Sequence, residues 1–176
     1  MEQELIDIEV TKSYNVDNWK EDARKILSMA ALDGKNVCML INEAQARLNF
    51  VMQDIDALLN SGDIPNIFST EDFVPLIDKL QSCAKREGNS KLYQGGSIQE
   101  YYNYFVSRVQ KYLHVVIVLS SVGDSLREKI RNYPAVVNCC SMIFFKKWPD
   151  EALEMVATYE LKELNLVKAL EKNTIN

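Results

Sequence analysis

The residues best suited to chemistry are gathered in Val37-Cys38-Met39-Leu40-Ile41-Asn42-Glu43-Ala44-Gln45. Five apolar residues ending in an Asn-Glu pair describe a buried strand that delivers polar groups at its C-terminal tip. In open α/β sheets that tip is where ligands bind. Enzymes that split nucleoside triphosphates place a magnesium-holding acid there, together with a carboxylate that orients the attacking water. They also need a glycine-rich loop of the G-x-x-x-x-G-K-[ST] type, whose backbone N–H groups cradle the phosphates. The one Gly-Lys pair is Gly34-Lys35; Asn36 follows it, and Met29 stands where the first glycine would be. The chain carries half of a nucleotide site.

Other candidate chemistry is thinner. Four cysteines give no disulfide framework, because Cys139 and Cys140 are adjacent, a spacing that rarely allows an unstrained bridge. Cys38 lies in the apolar strand and Cys83 in a helical pattern, where a thiol acts as a small hydrophobe. With one histidine, His114, and no C-x-x-C, a zinc site is excluded and a reducing compartment is implied. Asp54 and Asp56 are two apart on a helix, so they do not face one ligand. Tyr101, Tyr102, Tyr104 and Phe105 could stack on bases or pack a helix against a sheet. The net charge of −5 favours packing, and argues against nucleic acid or an anionic membrane as partner. Arg127, Lys129 and Arg131, interleaved with Glu128, read as a solvated helix face. The acidic start Met1-Glu2-Gln3-Glu4 is unlike the basic start of a signal peptide, and no apolar run reaches membrane-spanning length.

A chain of 176 residues, 47% hydrophobic and 26% charged, suffices for one soluble domain with a sizeable core. Leu5 to Val10 alternates and is β-branched, which predicts a strand at a sheet edge. Asn18-x-x-Glu21 predicts a capped helix burying Trp19, Ala23, Ile26, Leu27 and Ala30, closed by Gly34. After the Val37–Ile41 strand, Val51, Ile55, Leu58 and Leu59 mark a helix that stops near Ser61-Gly62. Ser69-x-x-Asp72 and Ser97-x-x-Glu100 open two further helices, the first with Phe73, Leu76, Ile77, Leu80 and Ala84 on its buried face and the second with Ile98, Tyr102, Phe105, Val109 and Leu113 at helical spacing. The stretch Asn89-Ser90-Lys91 to Gln94-Gly95-Gly96 forms a flexible connection between them. His114 to Ser120 reads as a second fully buried, parallel strand. A helix over Asp124–Arg131, a turn at Tyr133-Pro134, a short strand near Ser141–Phe145 and a helix from Trp148-Pro149-Asp150-Glu151 complete the pattern. Alternating strands and helices predict a three-layer α/β domain with a mostly parallel sheet and flanking helices.

The order of these pieces resembles the fourth AAA+ module of dynein heavy chains. The resemblance rests on Thr11-Lys12-Ser13-Tyr14-Asn15-Val16 before Trp19-Lys20-Glu21-Asp22, on Asn42-Glu43-Ala44-Gln45, and on Asp54 through Phe68. It continues in His114-Val115-Val116 through Gly123-Asp124, and in Pro134-Ala135-Val136-Val137-Asn138-Cys139-Cys140 running to Trp148-Pro149-Asp150-Glu151-Ala152-Leu153. The paired cysteines resemble the axonemal rather than the cytoplasmic type. The match covers residues 1–157 as a partial module, an incomplete P-loop NTPase-like large subdomain, and leaves 158–176 as an unmatched helical tail.

By this resemblance Asn42 stands at the magnesium-holding acid and Glu43 at the catalytic carboxylate. Ser120 stands at the polar sensor that ends the fourth strand. Cys139 takes the place of an arginine finger, and a thiol cannot neutralise phosphate as guanidinium does. Two readings of Glu43 stand side by side: a base that positions water, and an acid left at a strand end with nothing to hold a γ-phosphate. The resemblance implies microtubule-based movement of cilia or flagella, with an axonemal location in the cytoskeleton. Its partners would be neighbouring AAA+ modules and the dynein intermediate and light chains, with microtubules reached indirectly. ATP and Mg2+ belong to the complete module, and the chain alone is expected to be non-catalytic. A stand-alone interaction protein derived from such a module is the alternative. In the resembled sheet the strand bearing the phosphate loop lies beside the His114–Ser120 strand, so its absence here would leave apolar edges unpaired.

Overall fold

Helix α1 (Val16–Asp33) sets the frame, and its start is local chemistry. Asn15 is extended at its backbone, and its side chain accepts the Asn18 N–H at 2.9 Å while the Asn18 side chain accepts the Asn15 N–H at 3.2 Å. The box therefore sits one turn ahead of the expected Asn18–Glu21 pair. The apolar face is as expected: Trp19, Ala23, Ile26, Leu27 and Ala30 are buried, with Ala31 beside them. Gly34 ends the helix at φ 64°, a left-handed conformation that favours glycine.

The computed structural model describes residues 4–89, 92, 94, 96–122 and 124–163. Parts of the expected flexible connection (Ser90, Lys91, Tyr93 and Gly95), Gly123, and residues 164–176 of the expected tail lie outside them. The described residues form two compact units, which divide at Ser141–Met142.

The first unit holds a parallel sheet of β1 (Glu4–Asp7), β2 (Val37–Ile41) and β3 (Leu113–Ile117), in that order across the sheet. Glu4 pairs with Val37, and Val37 with Leu113. Each parallel step needs a crossover, and helices supply both. Between β2 and β3 come α2 (Glu43–Ala46), α3 (Asn49–Ser61), α4 (Thr70–Arg86) and α5 (Ile98–Tyr112). The Ser69 and Ser97 boxes cap α4 and α5 as expected, and Gly62 closes α3 at φ 77°. After β3 follow α6 (Ser125–Asn132) and α7 (Ala135–Asn138). Three parallel strands with helices built on the crossovers make an α/β domain, as the alternation of strand and helix patterns predicts. No helix among the described residues is long and apolar enough to cross a membrane.

The core explains the aromatic cluster. Phe68, Phe73, Tyr102 and Phe105 meet edge to face at centroid distances of 5.2–6.2 Å. Such contacts belong to packing. Tyr102 donates to Asp63, and Tyr101 donates to the Leu92 carbonyl. Arg108 of α5, only 5% exposed, donates to the Ala31 carbonyl and to Glu87 and lies against the rings of Tyr104 and Tyr112. Cys83 donates its thiol to the Leu32 carbonyl at 3.2 Å. Two of the carbonyls that α1 leaves unpaired at its end thus gain partners from other helices.

Four expectations are corrected. The first strand is Glu4–Asp7 rather than Leu5–Val10. The strand expected to Ser120 ends at Ile117, although the Val118 N–H still reaches the Ile41 carbonyl at 2.8 Å. It is not fully buried either: Val116 is 44% exposed, on the sheet face where His114 is also exposed and their β2 neighbours Cys38 and Leu40 are only partly covered. Finally, Ser141–Phe145 forms no strand. Its aromatic, β-branched composition suits a sheet, but no described strand pairs with it, and Phe145 is 91% exposed.

The second unit contains α8 (Asp150–Glu163). It starts as its sequence directs: the Pro149 carbonyl accepts from Ala152 and Leu153, and Asp150 and Glu151 occupy the first turn.

Candidate functional site

The tip of β2 delivers Asn42 and Glu43, and the segment leaving β3 delivers Ser120 beside them. Asn42 is the N-cap of α2. Its Oδ1 accepts the Ala44 N–H at 2.9 Å, and its own N–H donates to Gln45 Oε1 at 2.9 Å. Asn42-x-x-Gln45 is thus a capping box that turns the chain straight out of the strand. Gln45 is 1% exposed. Its amide also donates to the Ile8 carbonyl and lies 3.4 Å from Asp7 Oδ1. One side chain therefore ties the end of β1 to the end of β2.

Glu43 has both carboxylate oxygens engaged. Oε2 accepts the Ser120 backbone N–H at 3.0 Å, and Oε1 accepts Lys129 Nζ at 3.1 Å. The Ser120 N–H, then Lys129, hold its carboxyl below the usual carboxylate range, with the Arg47 charge adding to them. The Ser120 hydroxyl turns the other way and accepts the Val122 N–H at 3.2 Å. Asn42, Glu43 and Ser120 are brought together as the sequence suggests, but Ser120 meets the acid through its backbone. Cys139 is an exposed residue capping α7, its N–H spent on the Ala135 carbonyl at 2.8 Å. Asp54 and Asp56 point to different partners: Asp54 accepts Trp19 Nε1 at 2.8 Å, Asp56 the Ala135 N–H at 2.9 Å.

Sequence reasoning missed two members of this constellation. Gln45 carried a signal, since glutamine three residues after a capping asparagine is the box pattern. Lys129 was assigned to a solvated face, and the structure overturns this: it is 9% exposed and paired with Glu43. The clue lay in its flanks. Leu126 and Ile130, three before and one after it, share one helical face and are half-buried.

The polar atoms that a magnesium nucleotide would need are engaged within the chain. The Asn42 oxygen caps a helix, and the Glu43 oxygens hold an amide and an ammonium. Gly34-Lys35 is a helix stop, and a Cβ at Gly34 would stand 3.1 Å from Arg108 Nη2. Among the described residues no three of His, Cys, Asp and Glu are grouped to hold a metal ion. What the arrangement does is fasten three chain segments to one strand tip.

The family model described as "P-loop containing dynein motor region D4" matches residues 1–176. Dynein axonemal heavy chain 3 of Mus musculus is 34% identical over 163 residues, covering 93% of this chain and 4% of that protein. Dynein axonemal heavy chain 6 of Homo sapiens is 36% identical over 152 residues, 86% of this chain and 4% of the relative. The Dynein-1-beta heavy chain of the flagellar inner arm I1 complex of Chlamydomonas reinhardtii is 33% identical over 159 residues, 90% of this chain and 3% of the relative. The chain thus spans a small fraction of the length of the curated relatives that it matches.

Proposed function

The chain belongs to the dynein motor region D4 family, and on that premise we propose that it acts as a non-catalytic module of an axonemal-type dynein ring. Its work is mechanical: it holds a place among neighbouring AAA+ modules during microtubule-based movement of cilia or flagella. Intermediate and light chains, and microtubules at one remove, are the partners that this reading implies. The chain itself needs no cofactor; ATP and Mg2+ act elsewhere in the complete motor.

One observation carries the non-catalytic part. Glu43, the residue at the position of the water-orienting carboxylate, gives both oxygens to groups of its own chain. Phosphoryl transfer depends on positioning and on charge directed at the phosphates. A carboxylate neutralised by Lys129 supplies neither, and the neutral Asn42 beside it cannot replace an acid on a divalent ion.

Calorimetric titration of the 176-residue chain with Mg-ATP tests this. No saturable heat is expected at submillimolar nucleotide. Binding at about 10 μM or tighter, roughly −7 kcal/mol, would refute it, especially if Glu43→Gln changed it.

A further inference from the structure

Helix α6 is docked in an unusual way. Its sequence is Ser125-Leu126-Arg127-Glu128-Lys129-Ile130-Arg131-Asn132, and its one buried residue is Lys129. Leu126 and Ile130 are only half-buried, and the remaining residues face water. A surface helix is ordinarily fixed by an apolar stripe. Here the stripe is two side chains wide, with a charge at its centre.

A buried ammonium is costly unless paired, and Glu43 is the acid that pairs it. The carboxylate is itself held by the Ser120 N–H, which fixes where the lysine must reach. Just beyond α6 a second polar tie occurs. The Ala135 N–H, in the first turn of α7, donates to Asp56 of α3 at 2.9 Å. Two carboxylates, both supplied by the chain that follows β2, thus tie this stretch; beyond α6 it is also anchored by the buried Tyr133, Ala135 and Val136, whereas α6 itself has only the ion pair beside the half-buried Leu126 and Ile130.

We propose that Lys129 is a latch: its ion pair with Glu43 keeps α6 docked on the tip of the sheet, and discharging or occupying Glu43 lets α6 swing free. This goes beyond the non-catalytic reading of the site, on which it rests in one respect: Glu43 must be free of nucleotide to serve. The device gives the strand-tip acid a mechanical output. A proton that competes with Lys129 for the carboxylate loosens α6.

Amide hydrogen exchange on the full 176-residue chain, without nucleotide, tests the latch. The reporters are the Glu128 N–H, bonded to Asp124, and the Tyr133 N–H, bonded to Lys129. The β2–β3 ladder serves as internal reference. Lys129→Met and Glu43→Gln should each raise exchange at these reporters at least tenfold while leaving the ladder within twofold. Glu43→Gln keeps an acceptor for Ser120, so it removes the charge alone. Lys129→Arg should preserve most of the protection.

Unchanged α6 exchange in both loosened variants would overturn the latch, because Leu126 and Ile130 would then suffice. Equal loss of protection in helix and ladder in both variants would also overturn it, by showing a general stabilising pair. Binding of Mg-ATP to the parent chain would refute the non-catalytic reading and leave these exchange results to stand on their own.

Discussion

At the scale of single residues, the site turns on what each polar atom is already doing. Gln45 satisfies the Asn42 N–H and the Ile8 carbonyl from a position closed to water. Gln45→Leu fills the same space without either bond and strands both groups. We expect a loss of about 2–3 kcal/mol, read as a lower urea midpoint with an unchanged slope. Glu43 makes a prediction about pH. Its folded pKa lies below its unfolded one, so its contribution is fully present above the unfolded value and disappears as pH falls through the folded value. The stability gap between the parent chain and Glu43→Gln should therefore be widest near neutrality and close on acidification. With the carboxylate one-third exposed, its full size is about 1–3 kcal/mol. A gap that stays constant from neutral to acidic pH would mean that the charge of Glu43 contributes nothing.

Between elements, the ties that matter run from one helix to the end of another. Arg108 closes the C-terminus of α1 from α5 and reaches Glu87 at the end of α4. Arg108→Met retains the length of the stem but leaves the Ala31 carbonyl unpaired. It should cost about 2–4 kcal/mol, with amides of the last turn of α1 losing protection before those of β2. Loss confined to α5 would show that the tie to α1 is dispensable. Such ties also mark the limit of what the sequence reveals. Helices α4 and α5 were legible because a serine three residues ahead of an acid is a complete local instruction. Helix α2 was missed because its four residues follow the strand with no apolar period of their own. At α1 two asparagines compete for the cap, and the reciprocal pair Asn15 and Asn18 wins over Asn18 and Glu21. Lys129 was misread for a different reason. Its partner lies far upstream in the chain, and periodicity says nothing about a carboxylate brought in by folding. The same holds for Ser141–Phe145, where composition favours a strand but strands exist only in pairs. The grouping of Asn42, Glu43 and Ser120 could be foreseen from the resemblance; the occupation of their atoms could not.

For the molecule as a whole, the side of β3 away from β2, unpaired among the described residues, is expected to govern behaviour in solution. Val116 and Val118 are exposed there, and His114 to Leu119 contains neither proline nor a carboxylate, lysine or arginine to discourage pairing. The 176-residue chain should therefore self-associate in a concentration-dependent way in sedimentation velocity. Val116→Lys, a charge on that edge strand, should weaken association roughly tenfold, about 1.4 kcal/mol. A monomer at every concentration, or association indifferent to the lysine, would exclude β3 as the contact. The strand order carries a further consequence, for the birth of the molecule on the ribosome. Because the described strands β1, β2 and β3 lie side by side in the order in which they are made, each of the later two lands beside the one made before it. Val37 pairs with Leu113, so between them a translating ribosome must supply the four described helices α2 to α5, about 4–15 s of synthesis at typical rates. Through that interval the side of β2 that will receive β3 waits unpaired, and α1 and the emerging α2 to α5 are the described helices that can shield it.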